Sequence, residues 1–281
     1  MRDLVTTEWL ARHLGDPALR IADVRWYLDP SRKGRDAYSA GHIPGAVFLD
    51  VDADLSAPGG GRGRAVGRHP WPSAEQVSRI MGGAGIGRGT CVVAYDDQGG
   101  AVAARLWYLL RAHGHGDAAV LDGGIIKWMA EGRPVTTEVP SVPAASFAAR
   151  LRPGYVLTKA DVLGRDAARP LLDARAPERY RGEAEPVDPR AGHIPGARNA
   201  PFSGNLTGGA QSVFLPAAEL RNRYAALGAE GAAPVVYCGS GVTACHDLLA
   251  LHLAGLSGSL YAGSWSEWSA DESLPIETGE R

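Results

Sequence analysis

The sequence predicts an α/β protein built from two tandem copies of one domain, each a mostly parallel sheet with helices on both faces. Three observations carry this. Ala40-Gly41-His42-Ile43-Pro44-Gly45-Ala46 returns 151 residues later as Ala191-Gly192-His193-Ile194-Pro195-Gly196-Ala197. Three further matches keep the same order: Ile21-Ala22-Asp23-Val24-Arg25 with Leu171-Leu172-Asp173-Ala174-Arg175, Val92-Val93-Ala94-Tyr95-Asp96 with Pro234-Val235-Val236-Tyr237-Cys238, and Leu121-Asp122-Gly123-Gly124 plus Trp128 with Tyr261-Ala262-Gly263-Ser264 plus Trp268. Four matches in order imply duplication rather than chance. Within each copy, short apolar runs alternate with helical patterns, which is the signature of parallel strands joined by crossover helices.

Each copy reads strand, loop, strand, helix, strand, helix. Cys91 to Tyr95 and Ala118 to Leu121 are continuous apolar runs, as are Val235 to Tyr237 and Gly258 to Tyr261. Runs of that kind suit strands covered on both faces. Between them, Ala101 to Ala112 places Val102, Leu106, Leu109 and Leu110 on one helical face, and Val242 to Leu253 is a second helical pattern. The crossovers are expected to be right-handed. Glu138 to Ser146 is rich in Pro, Ala and Ser and has no period, so it reads as a linker. The expected domains are therefore 1–137 and 153–281, joined by a linker at 138–152. Glycine-rich Ala57 to Gly67 reads as a mobile loop; no Gly-Lys-Ser/Thr follows it to cradle phosphate.

Composition narrows the class. The 281 residues are enough for two domains. The 29 basic and 31 acidic side chains give a formal net charge of −2. There is no basic stripe, so a nucleic-acid partner is not expected. Three cysteines, Cys91, Cys238 and Cys245, do not make a disulfide framework and point to a reducing compartment. The N-terminus has no apolar run of signal-peptide length, and no stretch approaches the roughly 18 apolar residues of a membrane span. A cytoplasmic protein with no membrane partner is expected. His113-Gly114-His115 has no carboxylate or cysteine at ligand spacing, so no metal site is expected, and no organic cofactor site is read.

The segment richest in chemistry is Val235-Val236-Tyr237-Cys238-Gly239-Ser240-Gly241-Val242-Thr243-Ala244. A strand runs into a cysteine, then a loop of small residues, then a helix. A cysteine there faces backbone N–H groups and the positive end of a helix dipole, which favour thiolate over thiol. Cys238 is thus the expected nucleophile, reachable past its small neighbours. The competing fate is a buried structural cysteine. Matching Tyr95 with Tyr237 puts Asp96 opposite Cys238. A carboxylate repels anions and carries no sulfur, so the first copy is expected to be silent and to supply a wall of the cleft and binding groups.

These residues resemble the two-domain rhodanese family of sulfurtransferases across nearly the whole chain. The doubled Gly-His-Ile-Pro-Gly-Ala, the loop cysteine in the second copy alone, and Trp265-Ser266-Glu267-Trp268 carry the likeness. The loop from Cys238 to Ala244 is similar to that of the 3-mercaptopyruvate sulfurtransferase branch. Thiosulfate-preferring relatives carry basic residues at the second and third loop positions, here Gly239 and Ser240. The resemblance implies that Cys238 takes sulfur from a small-molecule donor as a persulfide. It then passes the sulfur to an acceptor: thioredoxin, a low-molecular-weight thiol such as glutathione, or cyanide. Backbone N–H groups from Gly239 through Gly241, Val242 and Thr243 would hold the sulfur anion.

The donor carboxylate needs a cation away from the sulfur, and the loop offers dipoles but no side-chain cation. Arginine suits that task through its paired N–H donors. The branch uses two. Arg179, in Glu178-Arg179-Tyr180-Arg181-Gly182, matches the first. Arg190 is the candidate for the second, although it stands closer to Gly192-His193 than the pattern has it. Ser240 is expected to hydrogen-bond the donor or to relay a proton, with His42 and Asp36 as the candidate relay partners. Against that role, the same histidine recurs as His193 while only one copy has a cysteine, which fits a residue holding a turn. Thr243 is read as a donor to the sulfur or a helix cap, and Cys245 as core. Three other readings compete with this one. Cysteine phosphatases need an arginine six residues after the cysteine, where this chain has Ala244. A thiosulfate:cyanide sulfurtransferase and a non-catalytic rhodanese-like binding module are the other two.

Overall fold

The computed structural model describes residues Asp3 to Glu280. They divide into two compact units: the first runs up to Leu55 and adds 72–152 and 207–214, and the second holds 56–71, 153–206 and the chain from Leu215 onward.

The first unit has strands β1 (Leu4–Val5), β2 (Leu19–Asp23), β3 (Ala46–Phe48), β4 (Cys91–Tyr95) and β5 (Ala118–Leu121). They form one sheet in the order β1-β5-β4-β2-β3, and every pair is parallel. Helices α1 (Thr7–Arg12), α2 (Gly34–Ala40), α3 (Ala74–Gly83), α4 (Ala103–Ala112) and α5 (Gly124–Ala130) connect them. Leu10, Ile21, Ile43, Val93, Tyr95, Leu121 and Trp128 are buried in one core cluster. Burying such side chains is the main favourable term in folding.

The second unit repeats the plan. Strands β6 (Val156–Leu157), β7 (Leu171–Asp173), β8 (Ala197–Asn199), β9 (Val235–Tyr237) and β10 (Ser259–Tyr261) pair in the order β6-β10-β9-β7-β8, again all parallel. Helices α6 (Lys159–Leu163), α7 (Pro177–Tyr180), α8 (Ala217–Ala226), α9 (Ala244–Leu253) and α10 (Ser264–Trp268) accompany them. The duplication read in the sequence is thus a duplication of topology.

The repeated motifs have structural work in both copies. Arg25 Nη2 donates to Asp23 Oδ2 at 2.5 Å and to Gly41 O at 2.8 Å; Arg175 Nη2 donates to Asp173 Oδ2 and to Gly192 O, both at 2.6 Å. Asp-x-Arg and Gly-His-Ile-Pro-Gly are therefore two ends of one buried clasp, in which each charge finds a partner. The tyrosines ending β4 and β9 close it, since Ile43 N–H donates to Tyr95 Oη and Ile194 N–H to Tyr237 Oη, both at 3.1 Å. Trp128 Nε1 donates to Pro134 O at 2.8 Å and Trp268 Nε1 to Pro275 O at 2.9 Å, pinning the tails of the two units alike.

Three sequence expectations change. Residues 138–152, read as a linker, group with the first unit: Ala145 N–H donates to Gly82 O at 2.9 Å and Arg152 N–H to Ala112 O at 2.8 Å. The glycine-rich stretch groups with the second unit and is closed on itself. Ala57 N–H donates to Pro70 O at 2.9 Å and Gly61 N–H to Gly67 O at 3.1 Å. The helices expected from Ala101 and Val242 begin at Ala103 and Ala244, with Val102 and Thr243 at their cap positions.

Candidate active site

Strand β9 delivers Cys238 to the end of the sheet, and the loop after it wraps the sulfur. Gly241 N–H donates to Cys238 Sγ at 3.1 Å. Gly241 can make that turn because it has φ of +77°, and a Cβ there would stand 2.6 Å from Ala262 O. The loop is tied from behind. Trp265 N–H donates to Cys238 O at 2.9 Å, and Ser266 N–H donates to Gly239 O at 2.8 Å. Ser264 has φ of +54°, unique among the described non-glycine residues. Its hydroxyl donates to Tyr261 O at 2.9 Å and accepts Cys238 N–H at 3.2 Å. Strain of this kind persists where the surroundings over-determine it.

The sulfur is less open than the small loop residues led us to expect, with Cys238 only 1 % exposed. Two groups that the sequence reading missed cover this end of the sheet. His69 Nδ1 lies 2.7 Å from Ser240 Oγ, and both residues are buried. Arg68 packs beside Gly239. Both come from 56–71, which belongs to the second unit. The segment is fastened in sequence: Gly67 stands so close that a Cβ would lie 2.9 Å from Gly263 O, and Arg68 N–H donates to Ser266 Oγ at 2.9 Å.

Arg179, a donor-binding candidate from the sequence, lies beside the loop. A methyl group built on Gly239 would lie 3.5 Å from Arg179 Nη1 and 3.0 Å from Arg68 Nη2. The loop itself carries no cation, but two guanidinium groups from other segments flank it. They belong to a web of alternating charge. Arg68 Nη1 pairs with Asp188 Oδ1 at 2.6 Å, and Arg179 Nη2 with Asp188 Oδ2 at 3.3 Å and Glu185 Oε1 at 2.6 Å. Glu185 Oε2 also accepts from Arg175 Nη1 at 3.2 Å. Burial pushes the Asp188 carboxyl up from its ordinary value, against the pull of Arg68.

Arg190 is not at the loop. Its guanidinium donates to four backbone carbonyls: Ser269 O at 2.9 Å, Leu274 O at 3.0 Å, Trp268 O at 3.1 Å and Asp271 O at 2.5 Å. It holds the chain that follows α10, and four of its five N–H donors are spent there. His42 has both ring nitrogens against carbonyls of its own unit, Tyr38 O at 2.9 Å and Glu138 O at 3.0 Å, and it stacks on Tyr38. His193 repeats half of this, with Nδ1 at 2.8 Å from Tyr180 O and a stacked Tyr180 ring, while its Nε2 lies 3.7 Å from Glu277 Oε2. Asp36 is exposed on α2. The imidazole that meets Ser240 is that of His69, and the doubled histidine holds a turn in each copy. Thr243 occupies the cap position of α9, but its hydroxyl makes no capping bond. Cys245 is buried, with Sγ 3.4 Å from Gly241 O, so it supports the loop from below.

One signal in the sequence could have found the missed pair. Arg68-His69 follows the glycine-rich loop and has no partner among the four doubled motifs, so it marks chemistry that duplication does not explain. Among the described residues no group of three or more His, Cys, Asp or Glu side chains is placed to hold a metal ion, and no helix is long and apolar enough to cross a membrane.

Comparison with known proteins agrees with this geometry. The model of the rhodanese-like domain matches residues 6–131 and again 158–271. A Pseudomonas aeruginosa protein named "Probable 3-mercaptopyruvate sulfurtransferase" is 44 % identical over 99 % of this chain and 98 % of its own length. The thiosulfate sulfurtransferase of Rattus norvegicus is 36 % identical over 95 % of this chain and 92 % of its own. Among solved structures, SseA of Escherichia coli, described as a 3-mercaptopyruvate sulfotransferase with the rhodanese fold, superposes with a TM-score of 0.82. It is 31 % identical and covers 94 % of this chain and 99 % of its own. A doubled rhodanese fold, one loop cysteine and full-length relatives that are sulfurtransferases lead to one conclusion: this chain belongs to the rhodanese-like family and is a sulfurtransferase.

Proposed function

We propose that the enzyme takes sulfur from 3-mercaptopyruvate onto Cys238 and hands it to a thiol or to cyanide. The observation that carries this choice of donor is His69 Nδ1 at 2.7 Å from Ser240 Oγ, two residues beyond the nucleophile. When the Cys238 thiolate attacks the sulfur of 3-mercaptopyruvate, the new S–S bond forms as the C–S bond breaks. The electron pair leaves on carbon as the enolate of pyruvate, which must gain a proton. A serine hydroxyl backed by an imidazole supplies one and is recharged from solvent. Thiosulfate releases sulfite, a stable anion that needs no proton, so a buried Ser–His pair would be idle with that donor. An acceptor thiolate then attacks the outer sulfur, and Cys238 leaves as thiolate, completing a double displacement.

The loop N–H groups serve both halves of the cycle, because each step leaves negative charge on sulfur at the same spot. The charge web supports the same donor. Arg68 and Arg179 are matched by Asp188 and Glu185, so the surroundings of Gly239 carry no net positive charge from these four side chains. A dianion such as thiosulfate gains little there, whereas a single carboxylate can take the N–H donors that the internal ion pairs leave unused. Thioredoxin or a low-molecular-weight thiol is the acceptor we favour. A cytoplasmic location fits the three cysteines, all free of disulfides.

The test compares kcat/KM for 3-mercaptopyruvate and thiosulfate, with mass spectrometry of the protein after donor alone. The expected result is a preference of at least tenfold for 3-mercaptopyruvate and a gain of one sulfur at Cys238 that a thiol removes. Equal or better use of thiosulfate would overturn the choice of donor.

A further inference from the structure

We infer that Arg68 is the second guanidinium of the donor-carboxylate site, acting with Arg179 across Gly239; this rests on the donor proposed above. Three observations point to it. Arg68 sits beside the nucleophile's loop, with Nη2 3.0 Å from where a Cβ on Gly239 would stand. Its side chain is only 11 % exposed yet makes a single hydrogen bond, from Nη1 to Asp188, while Nε is buried with no acceptor among the described residues. Buried donors without acceptors are uncommon and ask for a ligand. Third, Arg190 commits four of its five N–H donors to backbone carbonyls of the chain that follows α10, so no paired edge of its guanidinium is left for a substrate.

The chemistry of the vacant donors suits a carboxylate. A guanidinium presents parallel N–H groups that a planar anion accepts in pairs. Asp188 already bridges Arg68 and Arg179, one oxygen to each, and so shows that an anion can engage both cations at once. A donor carboxylate would take the face of the pair turned toward Gly239. Position 239 then has to be glycine for a reason separate from backbone freedom, since any side chain would fill the space that the carboxylate needs. His69 is the next residue, so one short segment would place both the binding cation and the proton-transfer partner of Ser240.

Arg68→Gln and Arg68→Lys test this in the full-length enzyme, with melting temperatures recorded for each. Losing a charge-assisted contact predicts a rise in KM for 3-mercaptopyruvate of about 10- to 100-fold for Arg68→Gln. Arg68→Lys is expected to recover part of that loss, and kcat to change by much less than KM. Loading of Cys238 by inorganic polysulfide, which has no carboxylate, is expected to keep its wild-type rate. An unchanged KM with 3-mercaptopyruvate, or equal losses with both donors, would overturn the inference, the latter showing that Arg68 only props the loop. Failure of the wild type to use 3-mercaptopyruvate would instead remove the donor reading itself. If Arg68→Gln does not fold, Arg68→Lys decides: a KM unchanged from the wild type argues against a paired carboxylate contact.

Discussion

The loops that follow β4 and β9 start from one backbone plan and are headed by different anions. Both follow a tyrosine whose hydroxyl is tied into the clasp of its own unit. Both hold the next carbonyl with an N–H from the helix that follows the last strand: Ile125 N–H to Asp96 O at 3.0 Å, and Trp265 N–H to Cys238 O at 2.9 Å. Gly124, with φ of +55°, and Ser264, with φ of +54°, make the same bend. The loops differ in what fills them. The Asp96 carboxylate is fully buried and accepts four backbone N–H groups, from Gln98, Gly100, Val102 and Ala103, at 2.7 to 2.9 Å. Cys238 offers one sulfur atom, held by Gly241 N–H. The first copy is an anion nest closed by its own side chain. In the second copy, on our reading, the same nest serves an anion that arrives and leaves with each turnover.

Substitutions in either loop test this difference. The largest effect is expected from Cys238→Ser, which should take sulfur transfer below detection and abolish the gain of sulfur seen by mass spectrometry. Residual turnover near the wild-type rate would end the reading of this loop as the chemical one. His69→Gln comes next. Steady-state kinetics with 3-mercaptopyruvate should show kcat lowered by a factor on the order of 10² or more. Loading by polysulfide should be spared, and an equal loss with both would mean that His69 only supports the segment 56–71.

Asp96→Ala addresses the silent loop. It leaves four buried N–H groups without their acceptor, and chemical unfolding should reveal a loss on the order of 3 kcal/mol or more. The activity of the folded fraction should be unchanged. A neutral effect on stability would mean that the nest is not held together by its carboxylate.

Smaller effects sharpen the likeness. Ser264→Gly relieves the positive φ but removes the hydroxyl between Cys238 N–H and Tyr261 O. These oppose each other, so a net change within about 1 kcal/mol is expected. Ser264→Ala keeps the strain and loses the bonds, so its melting temperature should fall further than that of Ser264→Gly. The smallest effect concerns the helices after the loops. Counting from their first residues, Leu106 of α4 corresponds to Asp247 of α9. Burial pushes the Asp247 carboxyl up to about 7, although Asn205 donates to it at 2.7 Å. The native state then keeps a proton that the unfolded chain sheds near pH 4, roughly the ordinary aspartate value. Its contribution therefore makes stability fall as pH rises from about 4 to about 7. Asp247→Asn should melt higher than the wild type at pH 8, with the advantage shrinking toward pH 4. An advantage independent of pH would rule out titration of this group as its source.

Much of this was legible before the fold. Cys91–Tyr95, Ala118–Leu121 and Val235–Tyr237 appear as strands with the bounds read from their apolar runs. Those signals are local, since burial on both faces shows in consecutive residues. The histidine of Gly-His-Ile-Pro-Gly was half legible: its recurrence argued for a turn, and the stacked tyrosines explain why the turn needs it. Arg190 was misread because a motif neighbour was taken for a site neighbour. Spacing along the chain does not say which way a guanidinium turns, and here it turns to four carbonyls.

By itself the sequence determined that one domain is written twice and that one copy has a cysteine where the other has an acid, because those facts lie in short motifs of residues adjacent along the chain. Only the tertiary structure decided which imidazole reaches Ser240 and which guanidinium groups flank Gly239. His69 and Ser240 are 171 positions apart. No period or spacing encodes a contact of that separation; it exists only because the packing of the second unit includes the segment 56–71.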